Sequence, residues 1–299
     1  MAATILVPLD GSDKDDRALA IAAAFARLAD GTLHLIRVCE VPVGHPAADE
    51  RAAGRADAPR PEEAAAERSI RAAAGSLADV AHRPVTWEVV PAPDVADALL
   101  YRAAELDVVL VVVATRAPRP VDRAVRGSVA DRLVREGSRP VVLVPPGAEH
   151  AAGKRVELRR GLVPLDDSAA ARDMVDHLLG LPRVGDLEWV LLEVVPPPHA
   201  GLVDALRGET RHAVAERAER RLEAVAERLR QRGATVDVRV AEADDPAAVI
   251  SGAVRQDLVD FIAISTRGAH GLERWVLGSV AESVVRTAEV PVLLRTPTR

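Results

Sequence analysis

The stretch Ile5-Leu-Val-Pro-Leu-Asp-Gly-Ser12 returns later in the chain as Gly161-Leu-Val-Pro-Leu-Asp-Asp-Ser168. Each copy joins a short apolar run to an aspartate and a serine, a pattern typical of a buried strand that leads into a helix. Asp10 in the first copy corresponds to Asp166 in the second. The repeated stretch predicts that the chain contains the same fold twice.

Three further matches follow in the same order and at nearly the same spacing. They are Val111-Val-Val-Ala-Thr-Arg116 with Ile262-Ala-Ile-Ser-Thr-Arg267, Val125-Arg-Gly-Ser-Val-Ala130 with Val276-Leu-Gly-Ser-Val-Ala281, and Arg139-Pro-Val-Val-Leu-Val144 with Val290-Pro-Val-Leu-Leu-Arg295. These matches predict two tandem domains, 1–146 and 156–299. The polar stretch 145–153, which contains proline and glycine, is the predicted linker.

Short apolar runs alternate in both copies with longer stretches rich in alanine and charge. The runs are apolar on both faces, as the strands of a parallel sheet are. They predict strands at 3–8, 32–39, 84–90, 107–114 and 140–145, and near 160–165, 187–195, 234–241, 259–265 and 291–295. Because strands alternate with helices, we expect an α/β fold with two doubly wound parallel sheets of five strands each.

The clearest helical pattern lies in the second copy, where apolar residues recur at steps of three and four. These residues are Val214, Ala218, Leu222, Val225 and Leu229. They predict one apolar helix face, and Gly233 is the predicted end of that helix. In the first copy the Pro-, Ala-, Gly- and Asp-rich stretch 42–61 predicts a loop.

The composition argues against several classes of protein. A net charge of −6 and a pI near 5.8 give no electrostatic attraction to a polyanion, and aromatic residues at 2% leave few rings for stacking on bases. No segment reaches the roughly 18 apolar residues of a membrane span. The single cysteine, Cys39, excludes an intramolecular disulfide. Since Met1 runs into a strand-like stretch with no basic leader, we expect a cytoplasmic protein without nucleic-acid or membrane partners.

Open parallel sheets bind ligands beyond the carboxyl ends of their strands, where the strand order reverses. Asp10 and Asp166 each follow the first predicted strand of their copy, so both are expected at that edge. A carboxylate there can accept hydrogen bonds from a ribose or hold a hydrated cation. The alternative is that each aspartate forms a turn or caps a helix.

The second copy also carries a loop of small residues after its fourth predicted strand. Gly278 and Ser279 precede a predicted helix, whose free N–H groups would attract an anion. The alternative is structural, because Ser279 and Glu282 have the spacing of a capping box.

Both copies resemble universal stress protein domains, and the whole chain resembles the tandem members of that family. The phosphate-loop signature of the family is Gly, two residues, Gly, nine residues, Gly, then Ser or Thr. The second copy has Ser265-Thr-Arg-Gly268 and, after nine residues, Gly278-Ser279, so only the first glycine is replaced. The first copy has Ala114-Thr-Arg-Ala117 and Gly127-Ser128, so both leading glycines are lost.

The resemblance implies the sheet order 3-2-1-4-5 and a pseudo-dimer in which the two copies pair through their last strands. It leaves open whether two chains form a homodimer. In the ATP-binding members, the aspartate that ends strand one and a valine near the end of strand two contact adenine and ribose. The implied site in the second copy comprises Pro164, Leu165, Asp166, Val194, Ile264, Ser265, Arg267, Gly268, Gly278, Ser279 and Val280, and Asp166 is also the implied ligand of magnesium that arrives with the nucleotide. The weaker site implied in the first copy comprises Asp10, Val38, Gly127 and Ser128.

The leading hypothesis is a cytoplasmic sensor or regulator that binds ATP or a related adenine nucleotide, chiefly in its second copy. Because the sequence offers no positioned nucleophile and base, slow ATPase activity is the most chemistry expected. One alternative is a scaffold that binds no nucleotide and acts through protein contacts. A third is a weak adenine-nucleotide hydrolase, which the lack of a Ser-Gly-Gly-x-Asp-Ser loop disfavours. The downstream protein partner is not indicated by the sequence.

Overall fold

The chain divides into two compact units, Met1–Glu157 and Leu158–Arg299. The computed structural model describes residues 3–41, 60–115, 128–148, 155–197, 211–266 and 277–296. The division falls just after the linker predicted from the sequence. The predicted loop 42–61 lies almost wholly outside the described residues.

Among its described residues, the first unit contains five strands and four helices. The strands are β1 (Thr4–Pro8), β2 (Thr32–Glu40), β3 (Thr86–Ala92), β4 (Leu110–Ala114) and β5 (Val141–Val144), and the helices are α1 (Asp15–Leu28), α2 (Pro61–Ser76), α3 (Val95–Glu105) and α4 (Ser128–Glu136). The strand order is β3-β2-β1-β4-β5, and neighbouring strands pair in parallel.

The second unit repeats this arrangement. Its strands are β6 (Arg160–Pro164), β7 (Glu188–Val195), β8 (Thr235–Glu242), β9 (Phe261–Ser265) and β10 (Val292–Arg295), and its described helices are α5 (Ala169–Leu179), α6 (Arg211–Arg230), α7 (Pro246–Gln256) and α8 (Ser279–Thr287), with a 3₁₀ turn at Val184–Asp186. The order β8-β7-β6-β9-β10 is again parallel throughout. The predicted fold class, strand positions and order 3-2-1-4-5 are confirmed for each unit. Pairing of the two copies through their last strands stays a prediction.

The central strands are buried on both faces, as their apolar sequences predicted. Every residue of β4, β5 and β9 is buried. Because successive side chains of a strand point to opposite faces, helices must cover both sides of these sheets. The outer strands β3 and β8 are only partly buried.

Helix α6 packs on its sheet through the face that the sequence predicted. Its fully buried positions are Ala218, Leu222, Ala226 and Leu229. Val214 and Val225 of the predicted face are only half-buried, whereas Ala226 is fully buried. Gly233 follows the helix with φ of +94°, a conformation that glycine adopts at little cost.

The first strands of the two units fill the same place in the core by different means. In β1, Ile5 lies between Leu33 and Leu110 of the neighbouring strands. In β6 the corresponding Gly161 lies between Trp189 and Phe261, whose rings meet edge to face with centroids 5.6 Å apart. The two rings occupy the space that a side chain at residue 161 would need.

No helix within the described parts of the chain is long and apolar enough to cross a membrane.

Candidate functional site

The strand register brings three residues into one row at the carboxyl edge of the second sheet. Pro164 of β6 pairs with Leu192, and Leu162 pairs with Ile262. Continued along the strands, this register places Asp166 opposite Val194 on one side and opposite Thr266 on the other. The row lies where the strand order reverses, which is the ligand-binding position of open parallel sheets.

The first unit repeats this row with its own residues. Pro8 pairs with Ile36, and Leu6 pairs with Val111, so Asp10 lies opposite Val38 and Thr115. The predicted pairs Asp10 with Val38 and Asp166 with Val194 therefore hold corresponding positions in the two units.

Asp166 organises the turn between β6 and α5. Its Oδ1 accepts the N–H of Ser168 at 3.1 Å, and the Ser168 hydroxyl oxygen accepts the N–H of Ala171 at 3.0 Å. Ser168 is therefore the N-cap of α5. The turn interpretation of Asp166 is confirmed, whereas the helix-cap role belongs to the serine. The preceding residues Pro164 and Leu165 continue the pairing with β7, since the Leu165 N–H donates to Leu192 at 2.9 Å.

Asp10 contacts a lysine as well as the backbone and side chain of its own turn. Its Oδ1 accepts both the hydroxyl and the N–H of Ser12, at 2.6 and 3.1 Å, and its Oδ2 lies 2.5 Å from the Lys14 ammonium. Burial raises the pKa of Asp10, but hydrogen bonds from Lys14 and Ser12 and the lysine charge outweigh it and lower the pKa to about 2. Helix α1 begins only at Asp15, after Lys14 as its N-cap, so Asp10 does not cap it either.

The two ends of the glycine loop meet in the second unit. The Gly278 N–H donates to the carbonyl of Thr266 at 2.8 Å, and Ile264, Ser265 and Thr266 are buried. Helix α8 thus begins next to the end of β9. Arg267 and Gly268, which the resemblance implies as nucleotide contacts, lie outside the described residues.

Ser279 does not form the capping box that its spacing with Glu282 suggested. Gly278 is the N-cap of α8, and no side chain caps that end. Ser279 is therefore the first helical residue, and its side chain is exposed. The capping interpretation was wrong because a glycine one residue earlier already provides the extended conformation of an N-cap. Ser279 and Val280 instead contribute N–H groups without partners inside the helix.

The carbonyl at the end of the fourth strand has a different partner in the first unit. There the Thr115 carbonyl accepts the Arg17 Nη2–H at 3.2 Å. Gly127 lies outside the described residues, and Ser128 is the first residue of α4. The weaker site implied in the first copy is therefore described only at Asp10, Val38 and the start of α4.

A groove in the first unit was not anticipated from the sequence. It has a volume of about 460 Å³ and lies between β3 and α3, where Val90, Ala98 and Tyr101 provide its apolar surface. Tyr101 is 67% exposed. The one feature of the sequence that draws attention to this region is Tyr101, the single tyrosine of a chain with 2% aromatic residues.

Comparison with known proteins identifies relatives of both units. A model of the universal stress protein family matches residues 1–145 and again residues 157–295. Universal stress protein MJ0531 of Methanocaldococcus jannaschii is 29% identical over 135 residues, which cover 44% of this chain and 79% of that protein. A universal stress protein structure from Archaeoglobus fulgidus DSM 4304 matches with a TM-score of 0.65 at 17% identity, over 98% of each chain. A putative universal stress protein from Pseudomonas aeruginosa UCBPP-PA14 gives 0.62 at 17% identity, over 99% of this chain and 94% of that one.

Proposed function

Because the chain belongs to the universal stress protein family, we propose that it is a cytoplasmic protein that binds ATP or a related adenine nucleotide, chiefly in its second unit. Its role is that of a stress-response sensor or regulator and not of an efficient catalyst, with slow ATPase activity as the upper limit of its chemistry. The observation that carries the proposal is the row of Val194, Asp166 and Thr266 at the point where the strand order reverses.

The residues around this row suit the parts of a nucleotide. The Asp166 carboxylate can accept hydrogen bonds from ribose hydroxyls, and Val194 lies on the neighbouring strand where the family contacts adenine. Gly278 positions the N-terminus of α8, where the N–H groups of Ser279 and Val280 have no partner inside the helix and, with the partial positive charge of the helix end, favour phosphates.

We expect a magnesium ion to reach this site together with a nucleotide. Within the described ranges, no group of three or more His, Cys, Asp and Glu side chains could hold a metal ion by itself. Mg²⁺ is commonly held by one or two carboxylates together with phosphates and water. Asp166 would be the protein ligand, and the bound ion would neutralise phosphate charge.

The deciding experiment compares Asp166→Ala with Asp10→Ala by calorimetry and thermal shift, using ATP, ADP, AMP and cyclic AMP. Ligand at about 100 times its Kd should stabilise the parent protein by about 2.7 kcal/mol. Asp166→Ala should weaken binding by about 1.5–3 kcal/mol, as expected for hydrogen bonds to a charged group, and Asp10→Ala should change it little. No response of the parent to any nucleotide, or unchanged affinity in Asp166→Ala, would contradict the proposal.

A scaffold that acts through protein contacts is the second candidate. The observation that favours it is the exposed ring of Tyr101 beside the groove of the first unit, since exposed aromatic residues are enriched where proteins bind one another. This candidate predicts that Tyr101→Ala abolishes partner binding while the nucleotide titrations stay flat.

A further inference from the structure

Three hydrogen-bond donors contact the carboxylate of Asp10, the aspartate that follows β1 in the first unit. Residues 11–14 form a turn before α1, and this turn brings Lys14 back over Asp10. The lysine ammonium lies 2.5 Å from Oδ2, while the Ser12 hydroxyl and N–H occupy Oδ1. A ribose hydroxyl or a hydrated cation that approaches Asp10 would compete with the lysine for the carboxylate, whose side chain is 43% exposed.

A second side chain, at the start of α1, binds the backbone N–H groups next to the Asp10 carboxylate. The Asp15 carboxylate accepts the N–H of Gly11 at 2.7 Å and the N–H of Asp10 at 3.2 Å. Gly11 has φ of +79°, and consecutive N–H groups that converge in this way bind anions. Here the anion is supplied by the chain itself.

Arg37 covers the same turn from β2. A Cβ atom added to Gly11 would lie 2.1 Å from its Nη1, so the guanidinium rests directly against the glycine. Arg37 immediately precedes Val38, the residue opposite Asp10. Lys14, Asp15 and Arg37 therefore all contact the turn after β1, although residues 10–13 stay exposed to solvent.

The second unit cannot form these contacts from the corresponding positions. Ala170 stands where Lys14 stands in the first copy, and Ala171 stands where Asp15 stands. Helix α5 also begins sooner after its strand, at Ala169, and Ser168 serves as its cap. Position 37 corresponds to Glu193, which is buried and paired with Arg221 of α6.

We propose that Lys14, supported by Asp15, is an internal block that keeps nucleosides and nucleotides off Asp10, so that the chain binds one nucleotide per two homologous units. This inference rests on the proposed function of the second unit. It adds a specific cause for the difference between the units, besides the two glycines lost from the first loop. It also makes Lys14 a residue on which ligand occupancy in the first unit depends.

The test removes the Lys14 side chain in a variant whose second unit is already weakened in nucleotide binding, so that binding to the first unit can be measured. Asp166→Ala and the double variant Asp166→Ala/Lys14→Ala are titrated with AMP, whose single phosphate depends less than ATP on the glycine loop. The double variant should bind AMP at least tenfold more tightly than Asp166→Ala. In the parent background, Lys14→Ala should raise the number of bound AMP molecules from one to two. Lys154→Ala, at the one other lysine of the chain, is the control and should leave the number at one.

The other outcomes refute either the block by Lys14 alone or the block together with the proposed function. Two AMP molecules bound to the parent, or one bound to Lys14→Ala at unchanged affinity, would refute the block and leave the proposed function intact. No AMP bound to either protein would refute both. A carboxyl NMR titration tests the contact itself, because Lys14→Ala should raise the pKa of Asp10 from about 2 toward its ordinary value. An unchanged pKa would show that the lysine contact is absent in solution.

Discussion

His177 lies on α5 next to the ion pair that Arg295 of β10 forms with Asp173, whose N–O distances are 2.6 and 3.0 Å. Burial lowers the pKa of His177 to about 4, and the charge of Arg295 adds to this, while Asp173 opposes it. The neutral imidazole is therefore the form that the folded unit accommodates.

This histidine should make the second unit sensitive to acid. Because its pKa in the folded state is depressed, the stability it contributes is present above pH 6.5 and is lost as the pH falls through 4. We expect the free energy of unfolding in urea to drop by about 2–3 kcal/mol more in the parent than in His177→Gln between pH 7 and pH 4. His212→Gln is the matched control, since the His212 side chain is 85% exposed. The same pH dependence in His177→Gln and the parent would contradict this assignment.

Residue identities alone predicted part of the geometry of the candidate site. The repeated apolar-Asp pattern placed Asp166 at the sheet edge, and the register then put it opposite Val194. The Lys14 contact was not predictable, because it depends on how many residues the turn takes before α1 begins. Asp-Gly-Ser and Asp-Asp-Ser are almost the same in sequence. Yet the Ser12 hydroxyl donates to the Asp10 carboxylate, whereas the Ser168 hydroxyl accepts the N–H of Ala171.

Among the elements, β6 depends on having no side chain at Gly161. A Cβ atom there would lie 2.6 Å from the Trp189 ring and 2.9 Å from the Phe261 ring, both of which are fully buried. The Trp189 ring is further fixed by its Nε1–H, which donates to the Val184 carbonyl at 3.0 Å. Because both rings are fully buried, an added methyl group at residue 161 would overpack this part of the core.

Gly161→Ala should therefore destabilise the second unit by about 1–3 kcal/mol, the usual cost of overpacking a core. The matched control is Gly252→Ala in α7, where an added Cβ atom meets nothing within 4 Å. That substitution should stabilise the protein by about 0.5–1 kcal/mol, because alanine loses less backbone entropy than glycine in a helix. Urea unfolding at neutral pH measures both. Equal stability of Gly161→Ala and the parent would show that the aromatic pair rearranges freely.

The strands were predictable from sequence because burial on both faces makes them continuous apolar runs, as in Val111–Ala114 and Val141–Val144. Helix starts were less predictable. The start of α8 depends on the backbone of Gly278, whereas the sequence pattern favoured Ser279 as the cap. Side-chain capping signals are ambiguous when a glycine stands one residue earlier, since glycine adopts the cap conformation without a side-chain bond.

At the scale of the whole molecule, many of the arginines that the structure describes form ion pairs with carboxylates. Of 39 basic residues only Lys14 and Lys154 are lysine, and acidic residues number 45. Arg132 alone contacts three carboxylates, those of Asp94, Asp97 and Glu136. Further pairs are Arg102 with Glu88, Arg83 with Asp30, Arg160 with Glu188, Arg239 with Asp257 and Arg295 with Asp173. Such pairs orient the guanidinium groups toward the protein's own acids.

We therefore predict that this arginine-rich chain does not bind nucleic acid. Binding to a polyanion is driven by counterion release, which requires cations that are free to contact phosphates, and a net charge of −6 opposes the approach. Fluorescence anisotropy with labelled single- and double-stranded 20-mers at about 150 mM salt should give no Kd tighter than about 100 μM, the weak limit of ordinary non-specific binding. Arg132→Glu is the internal comparison and should leave the result unchanged, because Arg132 already contacts carboxylates. A micromolar Kd that weakens steeply with salt would overturn the prediction and reveal a basic surface that these ion pairs do not neutralise.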